Sequence, residues 1–138
     1  MPVWLVSFVE GTRARLHKIE ASREFALSRG LEPLQHVLLP RTKGFAATVQ
    51  GLREHVPAVY DFTIGYEEGV PTLWQYIKGS VNRIHLHVRR FPVEEMPALE
   101  EDVRQWLLDR WIEKDQLLDR FYEKGSFPSE PLPQEMVV

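Results

Sequence analysis

The segment from Leu99 to Tyr122 constrains the fold more than any other part of the chain. Leu99, Val103, Trp106, Leu107, Arg110, Trp111, Lys114, Leu117, Leu118, Phe121 and Tyr122 recur at steps of three and four. That spacing gathers side chains into one stripe along an α-helix. Charged residues occupy the opposite side. The pattern predicts one long helix or two consecutive ones, and so aromatic a stripe has to dock on a body formed by the rest of the chain. Trp106, Trp111, Phe121 and Tyr122 are therefore read as core and not as a lipid-facing surface.

The body reads as strands alternating with helices. "VWLVSFV" (Val3–Val9) is a continuous apolar run, the pattern of a strand buried on both faces. "RLHKIEASREFALSRG" follows with helical spacing, with Thr12 a candidate N-cap and Gly30 where a helix-ending glycine belongs. "HVLLP" (His36–Pro40) is a short second strand, and "GFAATVQGLREH" a second helix. "AVYDFTIGY" (Ala58–Tyr66) is β-branched and aromatic, hence a third strand. "TLWQYIKG" suits one or two helical turns. In "SVNRIHLHVRRF", Ile84, Leu86 and Val88 alternate with His85, His87 and Arg89, so a strand with one more polar face is expected. This order predicts an α/β fold with a mixed, partly parallel sheet flanked by helices. The expected divisions are an α/β part at 1–92, a helical region at 93–126 packed on it, and an irregular proline-rich tail at 127–138.

Composition narrows the chemistry. A chain of 138 residues suits one domain with a real core. The absence of cysteine excludes disulfides, thiolate nucleophiles and Cys-ligated zinc. No apolar run approaches the roughly 20 residues that cross a bilayer, and the first residues lack signal-peptide features, so this segment alone reads as soluble. Charge is uneven. Residues 1–90 carry 12 Lys and Arg against 8 Asp and Glu, whereas residues 91–138 carry 5 against 12. A basic front fits an anionic ligand or membrane, and equally an uneven solvated surface. Nucleic acid is a poor fit, because the chain is acidic overall and its aromatic residues are not interleaved with the basic ones.

The candidate site is "EGTR", Glu10 to Arg13, at the carboxyl end of the first predicted strand, where ligands gather in open α/β sheets. Gly11 permits a tight turn. Thr12 would leave helix N–H groups near an anion. Arg13 offers a planar fork of donors suited to a phosphate, and Glu10 would hold that fork or meet a ligand hydroxyl. The same four residues also fit a capped helix start with a surface Glu–Arg pair. Lys43, between a strand end and a helix, is a candidate second cation. Arg41 and Arg15 rank below it. His85 and His87 share a strand face but have no evident third ligand, so no metal is expected. Trp74 and Tyr76 are weak candidates for contact with a membrane interface.

The ordered set of motifs carries a resemblance. "FVEGTR" at the end of an apolar strand resembles the third conserved block of the glycerolipid acyltransferase family, and more narrowly of the lysophosphatidate acyltransferases. "VLLPRTKGF" resembles the segment that follows in the eukaryotic-type branch, and "VPAVYD" its fourth block. "IHLHVRRFP" and "WLLDRWIEKDQLLDRFY" look like that branch's C-terminal region. The resemblance runs from Trp4 to about Phe127.

It implies transfer of a fatty acyl group from acyl-CoA, as cosubstrate, to the free hydroxyl of a lysophospholipid. Lysophosphatidate going to phosphatidate is the first choice. No metal or bound cofactor is implied. The resemblance assigns the substrate phosphate to Arg13, supported by Glu10, Gly11, Thr12 and Lys43, with the parent enzyme at a membrane surface. It also implies a catalytic histidine and aspartate in His-x-x-x-x-Asp. That block is not in this sequence: the fifth residues after His17, His36, His55, His85 and His87 are Ser22, Arg41, Tyr60, Arg90 and Pro92. The expectation is the phosphate-binding second part of a longer acyltransferase, inactive by itself. The alternatives are a non-catalytic phosphate- or lipid-binding module, or an acyltransferase with another glycerolipid acceptor.

Overall fold

A computed structural model of the chain describes residues 3–81 and 83–128. Its elements in order are α1 (Leu16–Ser28), α2 (Thr42–Leu52), β1 (Ala58–Tyr66), α3 (Leu73–Ile77), β2 (Ile84–Pro92), a 3-10 turn (Val93–Glu95) and α4 (Glu100–Lys124).

The periodic C-terminal segment is one unbroken helix of 25 residues, α4. Glu100, Glu101 and Asp102 sit in its first turn and Lys124 in its last, each complementing the helix dipole. Gly125 ends it in the left-handed region at φ 74°, donating its N–H to the Phe121 carbonyl at 2.7 Å. α4 spans two apolar clusters. Its N-terminal half brings Val103 and Trp106 to Ala46 and Val49 of α2, with Val93 and Met96. Its C-terminal half brings Trp111, Ile112 and Leu118 to Leu34 and Val37 of the loop after α1. Trp106 stacks on Phe45 and meets Phe91 edge-on, and Phe121 is buried. The aromatic stripe is thus core, apart from Tyr122, which stays half exposed.

β1 and β2 form a two-stranded antiparallel sheet, in register from Ala58↔Pro92 to Tyr66↔Ile84. Between them lies α3, whose N-terminus is a capping box. Thr72 Oγ1 accepts the Gln75 N–H, and the Thr72 N–H donates to Gln75 Oε1. Helices with a small sheet and a C-terminal helix fit the predicted α/β class. The partly parallel sheet is not confirmed: among the described residues the strand pairing is antiparallel, and the first two predicted strands are irregular. A strand exists only through neighbours that take its N–H and C=O groups, and Val3–Phe8 pairs with none among the described residues. Its side chains point to solvent, with Trp4 89% and Phe8 85% exposed.

Helix boundaries also move. α1 starts at Leu16 with Arg15 in the cap position, so Thr12 is not its N-cap. α2 starts at Thr42, two residues before the predicted Gly44. Gly30 follows α1 at φ 68°, as expected. Most of the predicted tail, from residue 129 onward, lies outside the described residues.

Candidate functional site

The Glu-Gly-Thr-Arg stretch begins in a tight turn. The Gly11 N–H donates to the Phe8 carbonyl at 3.0 Å, and Gly11 takes φ 70°, a conformation that costs glycine nothing. The segment before α2 braces this turn. The Arg41 N–H donates to the Val9 carbonyl at 2.7 Å, and the Leu38 N–H to Glu10 Oε2 at 3.3 Å. From the other side, the Trp111 indole N–H of α4 donates to Glu10 Oε1 at 3.3 Å. Ser22 of α1 accepts the Leu39 N–H at 3.0 Å, fixing the brace itself.

Glu10 therefore faces inward. Burial pushes its carboxyl above the usual value near 4.5, opposed by the Leu38 N–H, the Trp111 indole and the positive charge of Lys114. It makes no ion pair with Arg13. Among the described residues, no hydrogen bond or ion pair holds the Arg13 guanidinium. Thr12, Arg13, Arg15 and Lys43 are all exposed. The structure thus joins Glu10 and Gly11 to the segment that carries Arg41 and Lys43, and leaves the cations facing solvent.

Arg41, ranked low from sequence, lies closest to the turn. A Cβ placed on Gly11 would fall 2.7 Å from Arg41 Nε and 2.8 Å from Cζ, so the guanidinium rests on the glycine backbone. No local pattern signals this contact, because it depends on the two segments meeting in space.

Behind the turn, a buried polar network joins the hairpin to α4. Lys114 is only 5% exposed. Its Nζ lies 2.6 Å from Asp61 Oδ1, and donates to the Phe62 carbonyl at 2.8 Å and to Thr63 Oγ1 at 2.9 Å. Arg89 Nη2 bonds Asp61 Oδ2 at 2.8 Å, and Nη1 bonds Glu113. Arg110 pairs with Glu113 at 2.8 Å. Burial lowers the Lys114 ammonium below its ordinary range, against the pull of Asp61. Asp115, one residue on, accepts the backbone N–H groups of Gln35 and His36, which fastens the loop after α1 to α4. A charged residue inside an aromatic stripe was the signal that could have marked Lys114.

His85 bonds Glu67 at 2.8 Å and meets Phe121 edge-on, while His87 packs against Phe127. A shallow cleft of about 290 Å³ is lined by His87, Arg89, Glu113, Gln116, Leu117 and Arg120. None of Glu10 to Arg13, nor Lys43, reaches it. Trp74 and Tyr76 of α3 are exposed. No helix among the described residues is long and apolar enough to cross a membrane.

Nearly the whole chain, and not the turn alone, resembles known proteins. A family model described as "Acyltransferase C-terminus" matches residues 75–137. The "Probable 1-acyl-sn-glycerol-3-phosphate acyltransferase 5" of Arabidopsis thaliana is 41% identical over 134 residues, covering 96% of this chain and 36% of its own length. The chain belongs to the 1-acyl-sn-glycerol-3-phosphate acyltransferase family. The gamma enzyme of that name from Mus musculus is 43% identical over 129 residues, covering 93% of this chain and 34% of its own. Enzyme 2 of Brassica napus is 37% identical over 131 residues, covering 94% and 34%. The chain spans about a third of the length of these curated acyltransferases. No solved structure matches it.

Proposed function

We propose that the chain supplies the acceptor-phosphate-binding part of an O-acyltransferase that converts lysophosphatidate to phosphatidate with acyl-CoA as donor. One observation carries this reading: Arg13 extends unpaired from a turn that Glu10 and Gly11 lock in place. A guanidinium left without a carboxylate partner keeps its full donor set for a phosphate. Lys43 and Arg41, on the segment that braces the turn, raise the positive potential around the same anion. Glu10 acts as a positioning residue, since its carboxylate meets the protein's own N–H groups and not the ligand.

Binding of this kind orients the glycerol backbone and its free hydroxyl; it does not activate the hydroxyl. Removal of the hydroxyl proton needs a general base, and no histidine here carries the family's aspartate at the required spacing. The chain is accordingly assigned binding without turnover.

Calorimetric titration with lysophosphatidate below its micellar concentration tests the assignment, with lysophosphatidylcholine as the control whose phosphate is a diester. The chain is expected to prefer lysophosphatidate, and Arg13→Ala to weaken it about tenfold, the equivalent of ~1.4 kcal/mol. Equal affinity for both lipids, or no effect of Arg13→Ala, would remove the phosphate role. Acyl transfer by the isolated chain would refute the assignment of binding alone.

A further inference from the structure

The β1–β2 hairpin is covered on the wrong side for a free-standing protein. Antiparallel sheets with one solvated face bury the apolar side chains and expose the polar ones. Here α4 covers the face bearing Asp61, Thr63, His85, His87 and Arg89. The opposite face carries Tyr60, Phe62, Ile64, Ile84, Leu86 and Val88, each 43–59% exposed. The register sets Phe62 opposite Val88 and Ile64 opposite Leu86, so these side chains form one contiguous apolar surface. Monomeric proteins rarely leave such a surface in water.

We propose that this face is the seam on which the complementary section of an acyltransferase packs, namely the two thirds of the relatives' length that this chain does not match. The proposal rests on family membership and is independent of the phosphate assignment. Two observations favour this occupant over a bilayer or a second copy. The relatives are about three times as long as the matched region, so family members hold polypeptide enough to cover the face. The apolar run Val3–Phe8 is also uncovered and lacks a strand neighbour, which calls for a partner with an open sheet edge as well as an apolar surface. A bilayer offers an apolar phase but no sheet edge, and the unpaired edges of a two-stranded sheet cannot enter hydrocarbon without stranding N–H and C=O groups. A second copy would cover the face but would bring another unpaired Val3–Phe8 run with it.

The lack of native cysteine makes the seam directly testable. Ile64→Cys and Leu86→Cys are labelled with a maleimide, in the 138-residue chain and in a chimera where the chain replaces the matching region of the mouse gamma enzyme. Labelled peptides are assigned by mass spectrometry. Both positions should react readily in the chain alone and at least ~100-fold more slowly in the chimera, the size of effect expected when access needs local opening. Trp74→Cys, on the exposed α3, should react in both. As a second reading, Ile64→Asp should leave the melting temperature of the chain unchanged and lower that of the chimera. Equal labelling in both proteins overturns the proposal. So does protection in the chain alone that grows with its concentration, which would mark a second copy as the occupant. Protection that appears only with phosphatidylcholine–phosphatidate vesicles would assign the face to lipid and equally overturn it.

Discussion

The turn at Glu10–Arg13 and the seam between the hairpin and α4 both place charge near the protein interior, and they do so in opposite ways. At the seam, Lys114 and Arg89 converge on Asp61, and Arg89 also reaches Glu113, so the charges satisfy one another. At the turn, the carboxylate goes inward onto neutral N–H donors, and the cations Arg13 and Lys43 stay outside. A closed network holds elements together and has little left for a ligand. An open one leaves its cations free for an anion. The difference separates the structural charges of this chain from those available for function, although composition weighs them alike.

The comparison breaks most visibly at Lys114. Lys114→Met leaves Asp61 buried with one cation instead of two, and removing one partner of a buried pair typically costs about 3–5 kcal/mol. Denaturant unfolding should show a loss of that order. Asp61→Asn added to Lys114→Met should restore much of it, since the uncompensated charge goes with it. A double variant no better than the single would show that packing, and not charge, holds the seam.

Two glycines sharpen the contrast. A Cβ at Gly65 would lie 2.8 Å from the ring of Phe121, which is buried and cannot withdraw. Gly65→Ala should therefore destabilise by about 1–3 kcal/mol through overpacking. At Gly11 the neighbour is the far end of the exposed Arg41, which can swing away. What remains is the backbone penalty of alanine at φ 70°, about 1–2 kcal/mol. Thermal melts should rank Gly65→Ala above Gly11→Ala, while lysophosphatidate affinity should fall only for Gly11→Ala.

Sequence disclosed the elements whose evidence is local. The three- and four-residue spacing of Val103, Trp106, Leu107 and Leu118 marked α4 and its buried side, and the alternation from Ile84 to Val88 marked β2. Alternation does not tell which face is covered. α4 covers the polar one because Lys114 and Phe121 on it match Asp61, Thr63 and Gly65 on the hairpin. The run Val3–Val9 has the composition of a buried strand, yet strand formation requires a neighbour that no local pattern supplies. At the candidate site, "EGTR" showed Gly11 and Arg13 directly. The inward turn of Glu10 follows from Leu38 and Trp111, residues 28 and 101 positions away, and the approach of Arg41 from its backbone bond to Val9.

The smallest expected effect lies at Glu10 and fixes the sign of its burial. With the folded carboxyl raised above 4.5, the native state holds this proton more tightly than the unfolded chain does. Its contribution is then fully present below pH 4.5 and is lost as pH rises through the folded value. Glu10→Gln keeps an oxygen for the Leu38 or Trp111 N–H and carries no charge, so it removes this dependence. Melting temperatures of the two proteins should therefore nearly coincide near pH 4, with the variant gaining slightly as pH rises to 7. A wild type that instead gained on the variant over that range would mean that the ionised carboxylate is favoured in the fold. Glu10 would then belong with Asp61, among the charges that the protein itself satisfies, and its tie to Lys114 would outweigh its loss of water.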